Sequence, residues 1–471
     1  MEQSFAIRMY VRVMKLLQRR CKTEAEDRRS GFPTEGKHRA LAYPHTVKSA
    51  AMLRGAAFWG VAITVLGGCA STLNPALSSR GIQIPFLQPD VHGYAVLYSF
   101  DGKPDGQGPL AIGVVSGSLY GTTLQGGDAG DGTVFRSSLS GDTKILYSFQ
   151  GGNDGSEPSS GLTEFKGSLY GATHAGGGTG CRYSAGCGTV YAIESSGKER
   201  VVYRFKPNNV DGWFPGSSLV PINGVLYGST TYGYQKTCGY YGCGRIFSID
   251  STGRERVIYA FKGGADGCWP VGLLAIKGTL YGITQGGGAG TSQCNTAENG
   301  TVFAVTTSGK ETVLHGFSNT PDGAAPSSLI AVDGVLYGTT IYGGSQSCEG
   351  GNRECGVVFS VTRSGRERVL YRFNGYSDGR GPNSLIWLNN ELYGTTNSGG
   401  VDDDLGTIFS LTRSGMKATL YRFKGGSRGG HDGFNPRGLT FANGTIYGIT
   451  GQGGTGTGCS YTCGTIYRIA P

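Results

Sequence analysis

Seven copies of the motif Asp-Gly-x-x-Pro, each followed about a dozen residues later by Tyr-Gly, constrain this chain more than any other feature. The Tyr-Gly pairs lie 50 to 57 residues apart, a spacing typical of repeat architectures. One repeat therefore occupies most of the 471 residues, and a single large all-β domain is expected. The motif aspartates are Asp105, Asp154, Asp211, Asp266, Asp322, Asp378 and Asp432, and the motif tyrosines are Tyr120, Tyr170, Tyr227, Tyr281, Tyr337, Tyr393 and Tyr447.

Each repeat contains four short runs of β-branched and aromatic residues separated by turn residues. In one unit, the run 328–332 is followed by Asp333-Gly334, a favoured two-residue hairpin turn, and the three further runs are 335–340, 356–361 and 367–373. Four antiparallel strands in about fifty residues form the blade of a β-propeller. Asp-Gly-x-x-Pro is interpreted as the turn between blades, in which Asp bonds its own downstream backbone and Pro starts the next strand.

The two ends of the repeat region complement each other. The region opens on a lone fourth strand, 94–100, and closes on a third strand, 464–469, with no fourth strand after it. The sequence therefore predicts a seven-bladed β-propeller of four-stranded antiparallel blades, with residues 94–100 completing the last blade. An open solenoid is the alternative, but it would not need complementary ends. The predicted blades span 109–149, 158–205, 215–261, 270–317, 326–373, 382–423, and 436–469 with 94–100.

These motifs resemble a known family. The succession Leu-Tyr-x-Phe, Asp-Gly-x-x-Pro, Leu-Tyr-Gly-Thr-Thr, Gly-Gly and Gly-Thr-Val-Phe is similar to the GloVer (Gloeo_Verruco) tandem repeat, and the resemblance covers residues 94–469. It implies an exported bacterial protein, at the surface or secreted, with one of several kinds of anchor. It carries over no catalytic residue.

The positive charge of the chain is concentrated in its first 68 residues. They hold twelve Lys and Arg against five Asp and Glu, whereas the remainder holds thirty against twenty-eight. The predicted propeller is therefore nearly neutral, and no nucleic-acid partner is expected. Residues 52–68 combine a basic start with an apolar run, as in a secretory signal, and end in Leu-Gly-Gly before Cys69. This ending resembles a bacterial lipobox, which predicts cleavage before Cys69 and lipidation of its sulfur.

The remaining segments follow from this interpretation. Residues 1–51 are interpreted as an over-extended start before Met52 or as a disordered extension, with a mitochondrial-type presequence as a further alternative, and residues 69–93 as a linker before the propeller at 94–471. Plain secretion and a membrane span are the alternatives to lipid anchoring, but about fourteen apolar residues are too few to span about 30 Å of hydrocarbon. The expected product is a monomer in the bacterial cell envelope, facing the periplasm or at the cell surface, that contacts the membrane only through its lipid.

Ten cysteines follow Cys69. Eight form close pairs, each in the loop between the second and third strands of one blade, and the last two lie in two loops that open on one face of a single blade. Five disulfides would use all ten, as expected in an oxidising compartment. A zinc centre is the alternative, but it needs four ligands at one point, whereas these pairs lie on different blades, so no metal or cofactor is expected. The expected pairs are Cys181–Cys187, Cys238–Cys243, Cys268–Cys294, Cys348–Cys355 and Cys459–Cys463.

Features shared by all seven blades are expected to be scaffold, so a ligand site should lie where the repeats differ. The variable positions of the motif are Trp213-Phe214 in blade 3 and Cys268-Trp269 in blade 4, whereas the other blades use mostly small or polar residues. Such aromatics stack on sugar rings or grip a peptide; alternatively, they shield the disulfide loops. The candidate ligand-binding residues are Trp213, Phe214, Trp269, Tyr232, Tyr234, Tyr240 and Tyr241, with Tyr183 and Tyr342 in corresponding loops of other blades.

The sequence contains no recognisable catalytic set. His92, His174, His315 and His431 lie in separate units, and no nucleophile elbow or phosphate loop precedes a helix. The aspartates at 402–404 have the oxygen ligands of a cation site, but a solvated acidic turn is the preferred interpretation. The leading hypothesis is a non-catalytic module that binds a glycan or a protein. The alternatives are a secreted carbohydrate-active hydrolase or lyase that uses His174 or acidic loop residues, and a purely structural envelope protein.

Overall fold

The structure is a computed structural model, and it describes residues 93–471 except 182–184, 208–209, 234–237, 240–241, 290–293, 295–298, 345–347, 349–354, 401–404, 426–430 and 460–462. The predicted leader, its signal segment, Cys69 and most of the linker therefore lie outside the described residues. Within the described part, thirty strands form seven sheets, and one short 3-10 helix spans Gly264–Asp266. No helix in this part has the length and apolar character needed to cross a bilayer.

The chain forms a seven-bladed β-propeller, as predicted. Each blade is an antiparallel sheet, and blades 1 to 6 are built from consecutive segments. Blade 1 contains β2 (Gln107–Val115), β3 (Ser118–Gln125), β4 (Thr133–Ser137) and β5 (Thr143–Ser148); blade 2 contains β6 (Ser156–Pro158), β7 (Thr163–Phe165), β8 (Ser168–Ala175), β9 (Thr189–Ile193) and β10 (Glu199–Arg204); and blade 3 contains β11 (Trp213–Pro215), β12 (Val220–Ile222), β13 (Val225–Tyr232), β14 (Arg245–Ile249) and β15 (Glu255–Ala260). In blades 2 and 3 the inner strand is split into two short segments that pair with the same second strand.

The other four blades follow the same order from inner to outer strand. Blade 4 contains β16 (Cys268–Ile276), β17 (Thr279–Gly286), β18 (Thr301–Thr306) and β19 (Glu311–Gly316); blade 5 contains β20 (Ala324–Val332), β21 (Val335–Tyr342), β22 (Val357–Thr362) and β23 (Glu367–Arg372); blade 6 contains β24 (Arg380–Leu388), β25 (Glu391–Ser398), β26 (Thr407–Thr412) and β27 (Lys417–Arg422); and blade 7 contains β28 (Phe434–Ala442), β29 (Thr445–Gln452) and β30 (Thr465–Ile469), with β1 (Ala95–Ser99) as its outer strand.

The N-terminal strand is paired with the last strand of the chain. In β1, Ala95 lies opposite Arg468 and Ser99 opposite Thr465, so the last sheet has the order β1-β30-β29-β28. The inner strand β2 of blade 1 contacts β28 and β29 of blade 7. Blade 7 is therefore made from both ends of the described chain.

The hydrophobic core consists of seven clusters, one at each boundary between neighbouring blades. At each boundary the phenylalanine that follows an outer strand packs edge-on against the third-strand aromatic ring of the next blade, with ring centroids 4.9–5.5 Å apart. Such pairs contribute about 0.5–1.5 kcal/mol each beyond the area they bury. The pairs are Phe100–Phe135, Phe149–Tyr191, Phe205–Phe247, Phe261–Phe303, Phe317–Phe359, Phe373–Phe409 and Phe423–Tyr467.

The glycine of each Tyr-Gly pair is a packing requirement. In blade 4, a Cβ on Gly282 would lie 2.5 Å from Cζ of the Phe303 ring, and the other six blades show the same contact at 2.3–2.5 Å. The preceding tyrosine, such as Tyr281, packs into the cluster at the blade boundary. The aromatic ring of the third strand therefore lies directly over a backbone position that has no room for a side chain.

The motif aspartate holds the turn between blades, but it bonds upstream groups rather than the predicted downstream backbone. In blade 4, Asp266 accepts hydrogen bonds from the Tyr259 hydroxyl at 2.6 Å and from the Lys262 backbone N–H at 2.6 Å. The strand after the turn also starts earlier than predicted, because the two variable residues before Pro270 already belong to β16. The motif aspartate therefore bonds the end of the preceding outer strand, and the variable residues belong to the inner strand that follows.

Candidate functional site

The two residues between Gly and Pro of each motif, called here the variable pair, lie on the face where the motif turns meet the loops between second and third strands. The backbone N–H of the second variable residue donates to a carbonyl in the preceding blade, at 2.8–3.2 Å in all seven blades. In the junction of blades 7 and 1, Gly108 N–H bonds the carbonyl of Cys463 at 2.9 Å. The other donor–acceptor pairs are Glu157–Asp131, Phe214–Cys187, Trp269–Cys243, Ala325–Asn299, Gly381–Cys355 and Asn435–Leu405.

The motif proline packs on the glycine that precedes the third strand of the neighbouring blade. A Cβ on Gly244 would lie 2.4 Å from Cδ of Pro270, and the equivalent distance is 2.5–2.7 Å at the other six junctions. These glycines also have φ between 74° and 102°. The motif proline and the Gly-Thr-Val-Phe glycine are therefore two halves of one contact between blades, which explains why both recur.

The second variable residue has left-handed backbone geometry in every blade, with φ between 51° and 65°. Glycine adopts this conformation without steric cost, and it occupies the position in blades 1 and 6. Other residue types lose roughly 1–2 kcal/mol here. A bulky side chain at this position is therefore present against the preference of its backbone. The non-glycine residues are Glu157, Phe214, Trp269, Ala325 and Asn435.

The first variable residue faces the last residues of the second strand across the sheet, and this cross-strand pair differs in every blade. It combines an aromatic pair in blade 3, an arginine and a serine in blade 6, one aromatic residue with a small or polar partner in blades 5 and 7, and small or polar residues in blades 1, 2 and 4. The pairs are Gln107–Gln125, Ser156–Ala175, Trp213–Tyr232, Cys268–Gly286, Ala324–Tyr342, Arg380–Ser398 and Phe434–Gln452. The start of the inner strands thus carries different side chains in each blade. We call this end of the propeller, where the variable pairs lie, its mouth.

The aromatic candidates in blades 3 and 4 fall into two groups. Phe214 is partly exposed and packs against His174 at 4.6 Å and Tyr232 at 5.6 Å between ring centroids, and Trp269 is partly exposed as well. Trp213 is only 9% exposed and belongs to the core cluster that contains Cys187. Its ring therefore cannot stack on a ligand, and it shields the disulfide loop instead. The predicted Tyr183, Tyr234, Tyr240 and Tyr241, and the aspartates at 402–404, lie outside the described residues.

Comparison with known protein families explains the repeat. A model described as the Gloeobacter/Verrucomicrobia repeat matches residues 84–293 and 290–471. The chain belongs to this family. The two matches together cover all seven blades of the Gloeobacter/Verrucomicrobia repeat propeller, including the motifs that form the blade junctions. A comparison with curated proteins found no match.

Several solved structures are similar to this repeat propeller in fold. A computationally designed protein, Ika8, shares 13% identity over 80% of this chain and 99% of its own, with a TM-score of 0.43. Puromycin hydrolase shares 13% identity over 75% of this chain and 53% of its own, with a TM-score of 0.46. A luciferin-regenerating enzyme shares 9% identity over 80% and 95%, with a TM-score of 0.38. None of these likenesses bears on the activity of this chain.

Five disulfides join the same cysteine pairs that the sequence analysis expects. Two of them meet where blades 3 and 4 adjoin, and the sulfurs of Cys238 and Cys294, which belong to different disulfides, are 3.7 Å apart. The two pairs adjoin although they lie on different blades, because loops distant in sequence are neighbours in the ring. The sulfurs of Cys238, Cys243 and Cys294 lie within 4.8 Å of one another. We call Cys238, Cys243, Cys268 and Cys294, all buried, the four-sulfur junction.

Three glutamates with pKa values raised to about 7 lie at the start of outer strands. Burial, followed by the charge of Asp266, raises the pKa of Glu311 to about 7. Glu199 and Glu255, at the same position of the outer strands in blades 2 and 3, have pKa values of about 7 for the same reasons. In blade 6 the position is Lys417, which bonds Asp378 at 2.9 Å. These groups belong to the repeated junction between blades and form no catalytic pair at the mouth.

Two histidines with catalytic potential have different surroundings. Burial lowers the pKa of His174, and among the described residues its ring has no ion-pair partner. His315 pairs with Asp322 at 3.0 Å, but it takes the place of the tyrosine that bonds the motif aspartate in the other blades. His315 is therefore part of a turn between blades, and neither histidine is held by a carboxylate at the mouth.

Two arginines at the mouth are not among the site residues predicted from the sequence. Arg380 and Arg437 line a cavity of about 450 Å³ formed by blades 5, 6 and 7. Arg380 is only 9% exposed. A signal was present in the sequence, because Arg437 follows the motif proline at a position that is small, polar or aliphatic in the other six blades.

Proposed function

We propose that the face of the propeller that carries the variable pairs binds a carbohydrate without catalysing a reaction. The observation that carries the proposal is the pair Phe214 and Trp269, two partly exposed aromatic residues held at left-handed positions that glycine would fill without steric cost. Aromatic rings offer apolar faces on which sugar C–H groups stack. Tyr232 extends this surface beside Phe214.

Scattered exposed apolar residues favour a sugar over a protein as the ligand. Within the described part of the chain, the exposed large apolar side chains belong to four separate segments: Val210, Tyr376, Met416 and Phe441. A docking surface for a protein usually presents a contiguous apolar patch. A narrow aromatic site inside a polar ring is better suited to a sugar chain.

The absence of a paired acid and base around His174, among the described residues, supports binding rather than hydrolysis. General acid–base catalysis needs a group within hydrogen-bond reach of the proton it transfers, and a histidine base is usually oriented by a second group. The ring of His174 contacts Phe214 instead. We therefore propose a binding role for this part of the face.

The proposal is tested by glycan-array screening followed by calorimetry on the glycans that bind. Trp269→Ala and Phe214→Ala should each weaken binding about tenfold or more, whereas Ala325→Gly, at the same ring position in blade 5, should leave it unchanged. Near-UV circular dichroism would establish that the variants keep the fold. If the protein hydrolyses the same polysaccharides and His174→Ala or Glu157→Gln abolishes that activity, the protein is an enzyme and the binding-only proposal is wrong.

We also propose that the protein is an exported, monomeric lipoprotein of the bacterial envelope. Five disulfides support export, because they persist in oxidising compartments. The lipobox-like sequence before Cys69 supports the anchor. Metabolic labelling with a palmitate analogue should mark the wild type and fail in Cys69→Ala. A wild type that remains unlabelled contradicts the anchor and leaves the binding proposal intact.

A further inference from the structure

The cavity formed by blades 5, 6 and 7 at the mouth of the propeller is lined by two arginines and several amides. Its volume is about 450 Å³, and Arg380, Arg437, Asn397, Asn435 and Gln452 lie on its wall. The wall contains no aspartate or glutamate among the described residues. The charged groups of this cavity are therefore all cationic, and they stand beside neutral hydrogen-bonding groups and the apolar side chains of Ile341, Tyr342, Leu405 and Phe434.

Blade 7 departs from the repeat at the position of Arg437. In three other blades the residue after the motif proline donates to the carbonyl of the next motif proline: Ser159 to Pro215 at 2.6 Å, Ser327 to Pro382 at 2.8 Å and Asn383 to Pro436 at 2.9 Å. Blades 1, 3 and 4 have Leu110, Gly216 and Val271 here, which carry no side-chain donor, and only blade 7 has a long cationic side chain at this position.

A second departure makes room for that side chain. At the position of Gly451 in the second strand, the other blades carry Leu124, His174, Thr231, Gln285, Ile341 and Asn397. A Cβ on Gly451 would lie 3.2 Å from Nε and 3.3 Å from Cζ of Arg437, so the guanidinium lies against this glycine. Two coordinated changes within one blade therefore position one arginine.

The guanidinium of Arg437 is partly withdrawn from water, and no counter-ion among the described residues bonds it. Burial lowers its pKa, and no acceptor or carboxylate of the described residues bonds it. An arginine stays charged even so, because its ordinary pKa is far above neutral. A desolvated cation that opens onto a cavity is stabilised by any anion that enters.

A hydrogen-bond chain orients a further donor toward the cavity. The Thr395 hydroxyl donates to Asn383 Oδ1 at 2.5 Å, and Asn383 Nδ2 donates to Asn397 Oδ1. The amide of Asn397 is therefore fixed with Nδ2 as its remaining group, near Gly381 on the cavity wall.

We infer that this cavity is an oxyanion-binding site in which Arg437, with Asn397 and Arg380, holds a carboxylate, phosphate or sulfate group. The planar guanidinium suits such groups because it offers two parallel N–H donors. The inference stands apart from the proposed sugar site in blades 3 and 4, because the residues differ and the probes are simple anions. An acidic sugar would carry the same group as a free anion.

Calorimetry at low ionic strength, where screening is weak, tests the site with phosphate, sulfate and glucuronate, and with glucose as the neutral control. At least one anion should bind, and glucose should not. Arg437→Gln should weaken binding about tenfold or more, as expected when one partner of a buried charged pair is removed. Arg437→Lys should recover part of the affinity, because it restores the charge but not the paired donors.

Arg413→Gln is the matched control, because it removes the same charge at an exposed turn between the third and outer strands of blade 6. It should bind as the wild type does. Gly451→Leu, which introduces the residue of blade 1, should weaken binding by displacing the guanidinium. The preferred anion identifies the group that the site takes. The inference is overturned if no anion binds, or if Arg437→Gln and Arg413→Gln bind the anion equally well.

Discussion

Replacing Tyr191 by phenylalanine should stabilise the propeller. The third-strand ring that lies over the Tyr-Gly glycine is phenylalanine in five blades and tyrosine only in blades 2 and 7. Tyr191 is fully buried, and its hydroxyl lies against Gly171 without a hydrogen-bond partner. Folding therefore removes this hydroxyl from water and provides no replacement bond.

The expected gain follows from that loss. An unsatisfied buried hydroxyl costs about 1–3 kcal/mol, and Tyr191→Phe keeps the ring and its edge contact with Phe149 at 4.9 Å. We expect the free energy of unfolding to rise by about 1–2 kcal/mol, with an unchanged dependence on urea concentration. The double variant with Tyr467→Phe should gain about twice as much, because the two sites are distant.

Equilibrium unfolding in urea with the disulfides intact measures this change. Phe303→Tyr is the matched control, since it introduces the same unpartnered hydroxyl in blade 4 and should destabilise by about 1–2 kcal/mol. A loss of stability in Tyr191→Phe would refute the reasoning, because it would mean that the hydroxyl has a bonding partner in the folded protein.

Three further perturbations test the junctions between blades. Glu311 has a pKa of about 7 in the folded protein, against 4.5 in the unfolded chain, so its protonation favours the folded state at low pH. This contribution to stability is lost as pH rises through 7. Glu311→Gln should therefore gain stability over the wild type between pH 5 and 8. Because this carboxyl beside Asp266 is half-exposed, screening reduces the gain to ~1 kcal/mol, measurable by urea unfolding at both pH values. Gly282→Ala should destabilise by about 1–3 kcal/mol through its clash with Phe303, in the same assay. Cys243→Ser should produce a new disulfide within the four-sulfur junction, detectable by peptide mapping, whereas Cys355→Ser should leave the other four disulfides unchanged.

The repeat made the architecture predictable because the same packing contacts recur in every blade. Seven copies of one pattern placed the strands, the hairpin at Asp333-Gly334 and the disulfide pairs close to where the structure has them. The start of each inner strand could not be predicted, because a left-handed backbone leaves no mark when the residue is Phe214 or Trp269. Glycine, the residue that indicates such a backbone, occupies this position only in blades 1 and 6, so the repeat as a whole did not show it.

The candidate site was less predictable because it depends on neighbours in the ring rather than in the sequence. Trp213 and Phe214 are adjacent in sequence, yet the first is buried against a disulfide loop and the second is partly exposed at the mouth. Cys238 and Cys294 are distant in sequence and in contact in space. The guanidinium of Arg437 has room at its position because Gly451 on the next strand has no side chain.

The hydrogen bonds that join neighbouring blades at the mouth are made by the peptide backbone of the second variable residue, not by its side chain. Fold and surface are therefore encoded separately at this ring: Gly108, Trp269 and Asn435 all donate the same bond while displaying unrelated chemistry. The side chains at these positions can therefore change during evolution without loss of the hydrogen bonds between blades. A combinatorial library randomised at the variable pairs would explore new specificities on an unaltered frame, in the way that hypervariable loops do on an antibody.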